Sequence, residues 1–437
     1  MAPDAPFTAP PAARPASGPF THPFEPDLLR RFTLRQALGR RLLARPEWLF
    51  RPLRAVWPRF SLGGALFILR YDHVQEVLTR HDVFAVPFGP RITQVDSAGR
   101  NFILGMDDDN PAYRSGLAQV MQAMRLADLD RVGHLARTWT DAALSRADER
   151  FDVVGGLFTP VTTRIVEAYF GVPADPAPLA LWAEALSNWI FATVGEDPTA
   201  ERVAVGAGER LGRAVDAAIA AAVARTNHPL APDEETLADR LVRNTSGAID
   251  LPATQDAIRP VLDGLITAFV PNCTIAATNI LTVLLDRPDI MARCRAAAAT
   301  ADDAAFGRHL MEAFRLRPLF PGPRRRCVRA HTLAADSPWA VAIRPGRIVI
   351  PCTQSAMMDG RRVTRPRRFD PDRPASHSMQ FGFGLHGCAG AAVATTQLVN
   401  TFRPLLRGRP IRRMPGKDGR PACFGAFPER MHIRFSD

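Results

Sequence analysis

The apolar positions of this chain recur mostly with the spacing of amphipathic helices. Between about residues 115 and 225, alanine- and leucine-rich helical patterns follow one another, and proline and glycine separate them at 171–178 and 195–198. A long, mostly apolar helical pattern covers 257–285. Strand-like patterns are short and occur at 67–72, 340–343 and 348–350. The pattern predicts a mostly α-helical fold with a minor β component.

The first 25 residues are rich in alanine and proline, a composition that predicts a disordered tail. They lack the apolar run of a signal peptide, and we find no run of about 18 apolar residues that would span a membrane. A basic amphipathic stretch over 28–53 fits either a solvated helix face or a membrane surface. We expect no transmembrane segment.

The formal net charge is +11, and nearly all of the basic residues are arginine. No aromatic-interleaved basic motif accompanies this charge, so we expect no nucleic-acid partner. Two interpretations remain open: solubilising charge, or a basic face that docks an acidic electron-transfer protein of the ferredoxin or flavodoxin type.

The six cysteines form no Cys-x-x-Cys pair, which argues against a zinc framework or a disulfide scaffold. Free thiols fit a reducing compartment, and we expect a cytoplasmic protein.

The most informative segment is 381–390, which reads Phe-Gly-Phe-Gly-Leu-His-Gly-Cys-Ala-Gly. One cysteine, Cys388, sits among glycines ahead of an alanine-rich helical pattern. Gly384, Gly387 and Gly390 allow close backbone approach and unusual conformations. Amide groups of such a loop can donate to a thiolate and tune a metal bound to it. The alternative is a glycine-rich turn around an inert buried cysteine.

This segment resembles the haem-binding signature of the cytochrome P450 superfamily, Phe-x-x-Gly-x-(Arg/His)-x-Cys-x-Gly. The resemblance extends over residues 26–437 and implies one domain with the cytochrome P450 fold and a long distal helix over haem b (iron protoporphyrin IX). It implies that Cys388 ligates the iron, that Phe381 and Gly390 flank the sulfur, and that His386 reaches a haem propionate.

A second motif supports the resemblance. Glu312 and Arg315 lie three residues apart, on one face of a predicted helix. The segment 369–373 resembles the family's meander, which implies that Arg373 completes a structural Glu-Arg-Arg triad. Three mutually satisfied members are needed because a lone buried charge costs several kcal/mol, roughly.

The distal helix departs from the family. Members usually carry an adjacent acid and alcohol, which deliver protons during oxygen activation. Counting 16 residues back from Pro288 places Asn272 at the alcohol position and Pro271 at the acid position. A slip of the register would offer Thr274 as the hydroxyl. We therefore select Asn272 and Thr274 as catalytic candidates. Pro271 also removes the hydrogen bond to Thr267.

The haem propionates need basic partners. Arg114 lies near the family's His-x-x-x-Arg position, although Asn110 replaces the histidine. Arg325 and Arg326 precede a predicted strand that should supply another partner, and Arg324 is a third candidate there. The sequence leaves open which of the three points inward.

These features predict a haem-thiolate oxidoreductase that acts as a monooxygenase on a small apolar substrate. Two alternatives remain. The first is a peroxide-dependent enzyme, since a distal amide can orient a peroxide oxygen but cannot relay a proton at neutral pH. The second is a non-catalytic haem-binding module that lost its oxygen chemistry.

Overall fold

The computed structural model describes residues 20–30, 47–107, 109–193, 195–245, 250–424 and 427–436. Most of the predicted tail and the centre of the basic stretch over 28–53 lie outside these ranges. The described part of the tail contacts the body of the protein: the amide groups of Thr21 and His22 donate to the carboxylate of Glu209 at 2.8 and 2.9 Å.

Helices dominate the described residues, as the sequence predicts. They are α1 Glu47–Val56, α2 Tyr71–Thr79, α3 Gly89–Val95, α4 Pro111–Ala123, α5 Leu129–Leu144, α6 Thr159–Ile165, α7 Pro176–Ser187, α8 Pro198–Ala224, α9 Leu237–Arg243, α10 Leu251–Asp286, α11 Pro288–Ala299, α12 Asp303–Leu316, α13 Thr353–Ala356 and α14 Ala391–Arg407. Turns of π-helix at 154–158, 166–170 and 188–192 adjoin α6 and α7.

The strands are short and form a minor component. They are β1 Arg59–Leu62, β2 Ala65–Ile68, β3 Phe84–Ala85, β4 Arg150–Asp152, β5 Arg325–Cys327, β6 His331–Leu333, β7 Val341–Ile343, β8 Ile348–Pro351, β9 Ile411–Arg413, β10 Ala422–Phe424, β11 Phe427–Arg430 and β12 His432–Phe435. The largest sheet has the order β1-β2-β8-β5-β3; β2 and β8 run parallel, with Ala65 opposite Ile348.

Local sequence explains where the main helices begin. Asp197 accepts a hydrogen bond from the Ala200 amide at the start of α8, and Asp250 accepts one from the Ala253 amide at the start of α10. Short acceptors at the N-cap satisfy amides that have no partner within the helix. The breaks expected at 171–178 and 195–198 therefore coincide with the starts of α7 and α8.

The 36-residue helix α10 crosses the centre of the molecule and packs against α7, α8 and α12. It is long and apolar enough to span a membrane by composition, so our expectation that no such run exists was wrong. However, 78% of its most apolar window is buried against other parts of the protein. This is the pattern of a core helix.

Helix α14 packs closely on α5. A Cβ added at Gly133 of α5 would lie 2.8 Å from Nδ2 of Asn400 on α14, so a larger residue at 133 would displace the Asn400 side chain. Because α14 begins directly after Gly390, this contact helps to position the cysteine loop.

Candidate active site

A cavity of about 1790 Å³ lies between the loop 379–390 and helix α10. Cys388 is on the loop side, and Asn272 and Cys273 are on the helix side. Most of the lining is apolar, with a large share of phenylalanine; its members include Phe88, Phe102, Phe191, Phe269, Phe314 and Phe381. The cavity is therefore an apolar chamber with one thiol on its loop side.

Backbone hydrogen bonds shape the cysteine loop. The Cys388 amide donates to the Phe381 carbonyl at 2.8 Å, and the Gly387 amide donates to the Gly384 carbonyl at 3.0 Å. Positive φ occurs at Gly382 (83°) and Gly384 (70°). Of the three glycines that the sequence selected, Gly384 alone uses this freedom, and Gly382 was missed.

Gly390 serves the loop in another way, since its φ is −88°. Burial raises the pKa of the Cys388 thiol, while the backbone amide of Gly390 acts in the opposite direction. The sulfur also lies just before the N-terminus of a 17-residue helix, where a negative charge is favoured. The loop therefore places a thiol where its anion receives backbone support.

Two other cysteines line the cavity, Cys273 and Cys423. Cys273 lies within α10 and is 4% exposed; burial raises its pKa, and the nearby Cys388 adds to that effect. The helix already uses the amides around Cys273 for its own hydrogen bonds. The supporting amide distinguishes Cys388 from Cys273.

The predicted ion network comes together behind the loop. Arg315 donates from Nε and Nη2 to the two carboxylate oxygens of Glu312 at 2.7 and 2.9 Å. Arg373 donates from Nε to Glu312 Oε1 at 3.1 Å, and the Asp370 amide donates to the same oxygen. The remaining guanidinium groups reach backbone carbonyls, including that of Met357. The buried carboxylate is thus fully satisfied.

Helix α12 carries this network and also contacts the cysteine loop. The rings of Phe314 and Phe381 pack with centroids 6.1 Å apart, and Gln380 donates to the Met311 carbonyl at 3.1 Å. The network therefore anchors the base of the loop through α12.

The three consecutive arginines point in different directions. Arg325 is 4% exposed and lines the cavity; its Nη1 donates to the Arg324 carbonyl, and its Nε is buried with no hydrogen-bond partner. Burial lowers the pKa of Arg325 to about 10. Arg326 is exposed on the other face of β5, because side chains alternate along a strand.

Arg324 also lines the cavity, and its Nε is likewise buried without a hydrogen-bond partner, but its terminal nitrogens are bound. Its guanidinium donates to the carbonyls of Thr193 and Ile190 at 2.7 and 2.9 Å, at the end of the π-turn that follows α7. Arg91 donates to the Thr193 carbonyl as well. Arg324 thus ties the wall of the cavity to the start of β5.

Arg114 is exposed on α4 and does not line the cavity, so the structure gives our propionate assignment no support. Its neighbour Tyr113 is 4% exposed and lines the cavity. Tyr113 donates its hydroxyl to the Leu385 carbonyl at 3.2 Å, and its ring packs edge-on against His386 at 5.0 Å. His386 also packs against His81, whose Nδ1 is buried without a partner.

Tyr113 and His81 were not selected from the sequence. Tyr113 could have been found from its position one residue before Arg114. On a helix, consecutive side chains differ in direction by about 100°, so Tyr113 can face the cavity when Arg114 does not. Tyr113, His386 and Arg325 form a polar edge of the mostly apolar chamber, and His81 packs against His386 behind this edge. The buried, unpartnered Nε of Arg325 and the thiol of Cys388 fit a flat group that carries a metal and acidic substituents.

On the helix side, Asn272 lines the cavity, as the sequence register implies. Thr274 does not line it: its hydroxyl is buried and donates to the Val270 carbonyl at 3.0 Å. The carboxylates among the described lining residues are Glu196 and Asp197, both just before α8. Asp263, the nearest carboxylate on α10, does not line the cavity.

Comparisons with known proteins agree with this geometry. The family model described as Cytochrome P450 matches residues 306–408, which contain the ion network and the cysteine loop. The chain is 27% identical to the cyclomarin C epoxidase CymV of Salinispora arenicola over 65% of this chain and 66% of that protein. It is 25% identical to the cytochrome P450 monooxygenase PikC of Streptomyces venezuelae over 86% of both chains.

A shorter match is to a bifunctional dioxygenase–epoxy alcohol synthase of Fusarium oxysporum, 29% identical over 28% of this chain and 10% of that protein. Among solved structures, CalO2 is similar with a TM-score of 0.75 and 20% identity, covering 93% of this chain and 99% of that one. Cytochrome P450 TbtJ1 has a TM-score of 0.71 and 24% identity, covering 89% and 96%. These structures share the fold. The segment 306–408 therefore matches the Cytochrome P450 family, the fold is that of solved cytochromes P450, and haem b is the cofactor of that family.

Proposed function

We propose that this protein is a haem-thiolate monooxygenase that oxidises an apolar organic substrate, with Cys388 as the ligand of the iron. One observation carries the proposal: Cys388 lines the apolar cavity on a glycine-rich loop, just before the N-terminus of α14. We also propose that residues 26–437 belong to a single domain. We place the protein in the cytoplasm, because all six cysteines are free.

When bound, haem supplies the oxygen-transfer chemistry, and a thiolate ligand favours O–O cleavage by pushing electron density toward the iron. The residues of the chain bind and orient the reactants. Arg325 offers a buried guanidinium to a propionate, and Tyr113 and His386 lie at the same edge. The phenylalanine-rich walls exclude water from the substrate.

The test of this assignment is the spectrum of the carbon monoxide complex of the reduced protein. We expect the red-shifted Soret band that is typical of sulfur ligation. Cys388→Ala should abolish this band, whereas Cys273→Ala and Cys423→Ala, the two other cysteines at the cavity, should retain it. A normal band in Cys388→Ala would exclude Cys388 as the ligand.

A second function, with peroxide as the oxidant, is favoured by the distal wall. Asn272 places an amide there, the Thr274 hydroxyl is engaged by the Val270 carbonyl, and no described carboxylate of α10 lines the cavity. An amide can orient a peroxide but cannot relay protons. The fungal relative is named an epoxy alcohol synthase. An epoxy alcohol is an isomer of an unsaturated hydroperoxide, so its formation from one needs no external electrons.

The two functions differ in their partners. The monooxygenase needs an electron donor, for which an acidic ferredoxin or flavodoxin suits the net charge of +11. The peroxide-dependent enzyme needs none. Turnover of one substrate with hydrogen peroxide or an organic hydroperoxide, compared with dioxygen plus a reductase pair, separates them. Efficient coupling of reductase electrons to product would favour the monooxygenase.

A further inference from the structure

A cluster of charged side chains lies behind one wall of the cavity, where α10, α8 and the turn after α3 meet. Arg259 of α10 contacts Asp216 of α8 at 2.9 Å and Asp263 of α10 at 3.4 Å. It also lies 4.0 Å from Asp96 in the turn after α3. A second guanidinium, that of Arg100, pairs with Asp96 at 2.9 Å.

Glycines allow these elements to meet. Gly208 and Gly212 lie four residues apart, on one face of α8. A Cβ added at Gly212 would lie 1.8 Å from Nη2 of Arg259, and one at Gly208 would lie 2.2 Å from the Val95 carbonyl oxygen. The guanidinium therefore occupies space that any other residue at position 212 would fill.

The cluster is not fully satisfied. One carboxylate oxygen of each of Asp96, Asp216 and Asp263 is buried and accepts no hydrogen bond. With all three ionised, three negative charges face the two guanidinium groups of Arg100 and Arg259. Asp256, on the outer side of Arg100, is 71% exposed, and its charge is therefore screened by water.

Asp263 is the member best placed to take up a proton. Burial raises its pKa to about 7; Arg259 opposes this shift, and Asp96 and Asp216 add to it. Its side chain is 21% exposed, so water reaches the carboxyl group. With Asp263 neutral, two carboxylates balance two guanidinium groups.

The cluster is directly coupled to the cavity wall through Gly264, the residue after Asp263. A Cβ added at Gly264 would lie 2.1 Å from Cδ1 of Phe102, so the Phe102 ring rests on this backbone. Phe102 lines the cavity and follows the turn that carries Asp96 and Arg100. A shift of the charged side chains can therefore move the cavity wall through the contact between Gly264 and the Phe102 ring.

We propose that Asp263 controls a proton-operated latch that holds α8 and the segment 96–105 against α10, and that its ionisation loosens this wall and opens the cavity. The direction of the pH dependence follows from the raised pKa of Asp263. The closed state binds the proton more tightly than an open state with an ordinary carboxyl, so closure weakens as pH rises from about 4 to about 7. Above about pH 7, Asp263 is ionised and closure weakens no further.

The test uses the full-length haem protein in its reduced form and follows carbon monoxide rebinding after flash photolysis. The association rate should rise on the order of tenfold between pH 5.5 and 7.5 and then level off, since one pKa unit of differential binding corresponds to a tenfold ratio. Asp263→Asn should give a slow rate that is independent of pH. Asp256→Asn, the exposed control on the same helix, should keep the wild-type profile.

Hydrogen exchange gives a second readout that does not depend on the chemistry at the haem. Protection factors of amides over 96–105 should fall between pH 5.5 and 7.5 in the wild type and stay constant in Asp263→Asn. A pH profile that persists in Asp263→Asn, or a wild type with no pH dependence in either measurement, would overturn the latch. Neither outcome would affect the assignment of Cys388.

Discussion

Ser187 donates its hydroxyl at 2.5 Å to the carbonyl of Thr267, the acceptor that Pro271 leaves without an amide donor within α10. A side chain from α7 therefore replaces the missing hydrogen bond of the central helix. The bond satisfies the carbonyl that Pro271 leaves free, and α10 runs from Leu251 to Asp286 with this proline beside Asn272.

We predict that Ser187→Ala destabilises the protein by about 1–3 kcal/mol, since it leaves the buried Thr267 carbonyl unsatisfied. Urea unfolding of the holoprotein measures this loss. The double variant Ser187→Ala/Pro271→Ala should recover part of it, because an alanine at 271 supplies the amide that the proline lacks. Strictly additive effects of the two substitutions would show that the hydroxyl does not replace this bond.

Glu312→Ala should give little soluble holoprotein. Its removal leaves the guanidinium groups of Arg315 and Arg373 buried without a counter-charge, a loss of roughly 3–5 kcal/mol, comparable with the whole stability of many domains. Soluble yield and haem content are the measurements. Asp372→Ala is the control, because that carboxylate is 82% exposed in its contact with Arg308. Near-normal haem content in Glu312→Ala would contradict a structural role.

Arg325→Met should release haem faster than the wild type, because the substitution removes the buried guanidinium at the polar edge of the cavity. Transfer of haem to an acceptor globin measures this rate. Arg326→Met changes the next side chain on the same strand, which points to solvent, and should leave the rate unchanged. Equal effects of the two substitutions would exclude a specific contact of Arg325 with haem.

Asn272→Ala should lower peroxide-supported turnover about 10- to 1000-fold, the range expected for one preorganised polar group at the reacting atoms. The carbon monoxide spectrum should not change. Thr274→Val is the control, because the Thr274 hydroxyl is bonded to the Val270 carbonyl and faces away from the cavity. If Thr274→Val were the more impaired variant, the distal register would need to move by two residues.

Much of this architecture could be predicted from the chain alone. The helical pattern over 257–285 and the breaks at 171–178 and 195–198 match α10, α7 and α8, because local periodicity and capping decide them. The triad and the cysteine loop come together in space as their motifs imply. In both cases the residues that contact one another lie within short sequence motifs, so these motifs are enough to predict the contacts.

The remaining features depend on contacts between distant segments. Two arginines of 324–326 reach the cavity through contacts with distant segments: Arg325 lies in β5 opposite Val349 of β8, and Arg324 binds the Thr193 and Ile190 carbonyls. Tyr113 reaches the cavity because α4 is oriented against the Leu385 carbonyl. The charged cluster around Arg259 joins segments more than 40 residues apart, and no local sequence pattern predicts it.

The supports of the cysteine loop come from α12 and from the pair α5 and α14. The Glu312 network holds it from α12, and the contact between Gly133 and Asn400 holds the helix that follows it. Residues such as Phe88 and Phe191, on the opposite wall, take no part in either support. Substrate choice can therefore diverge between related proteins, or be engineered, by exchanging wall residues while the iron ligand stays in place.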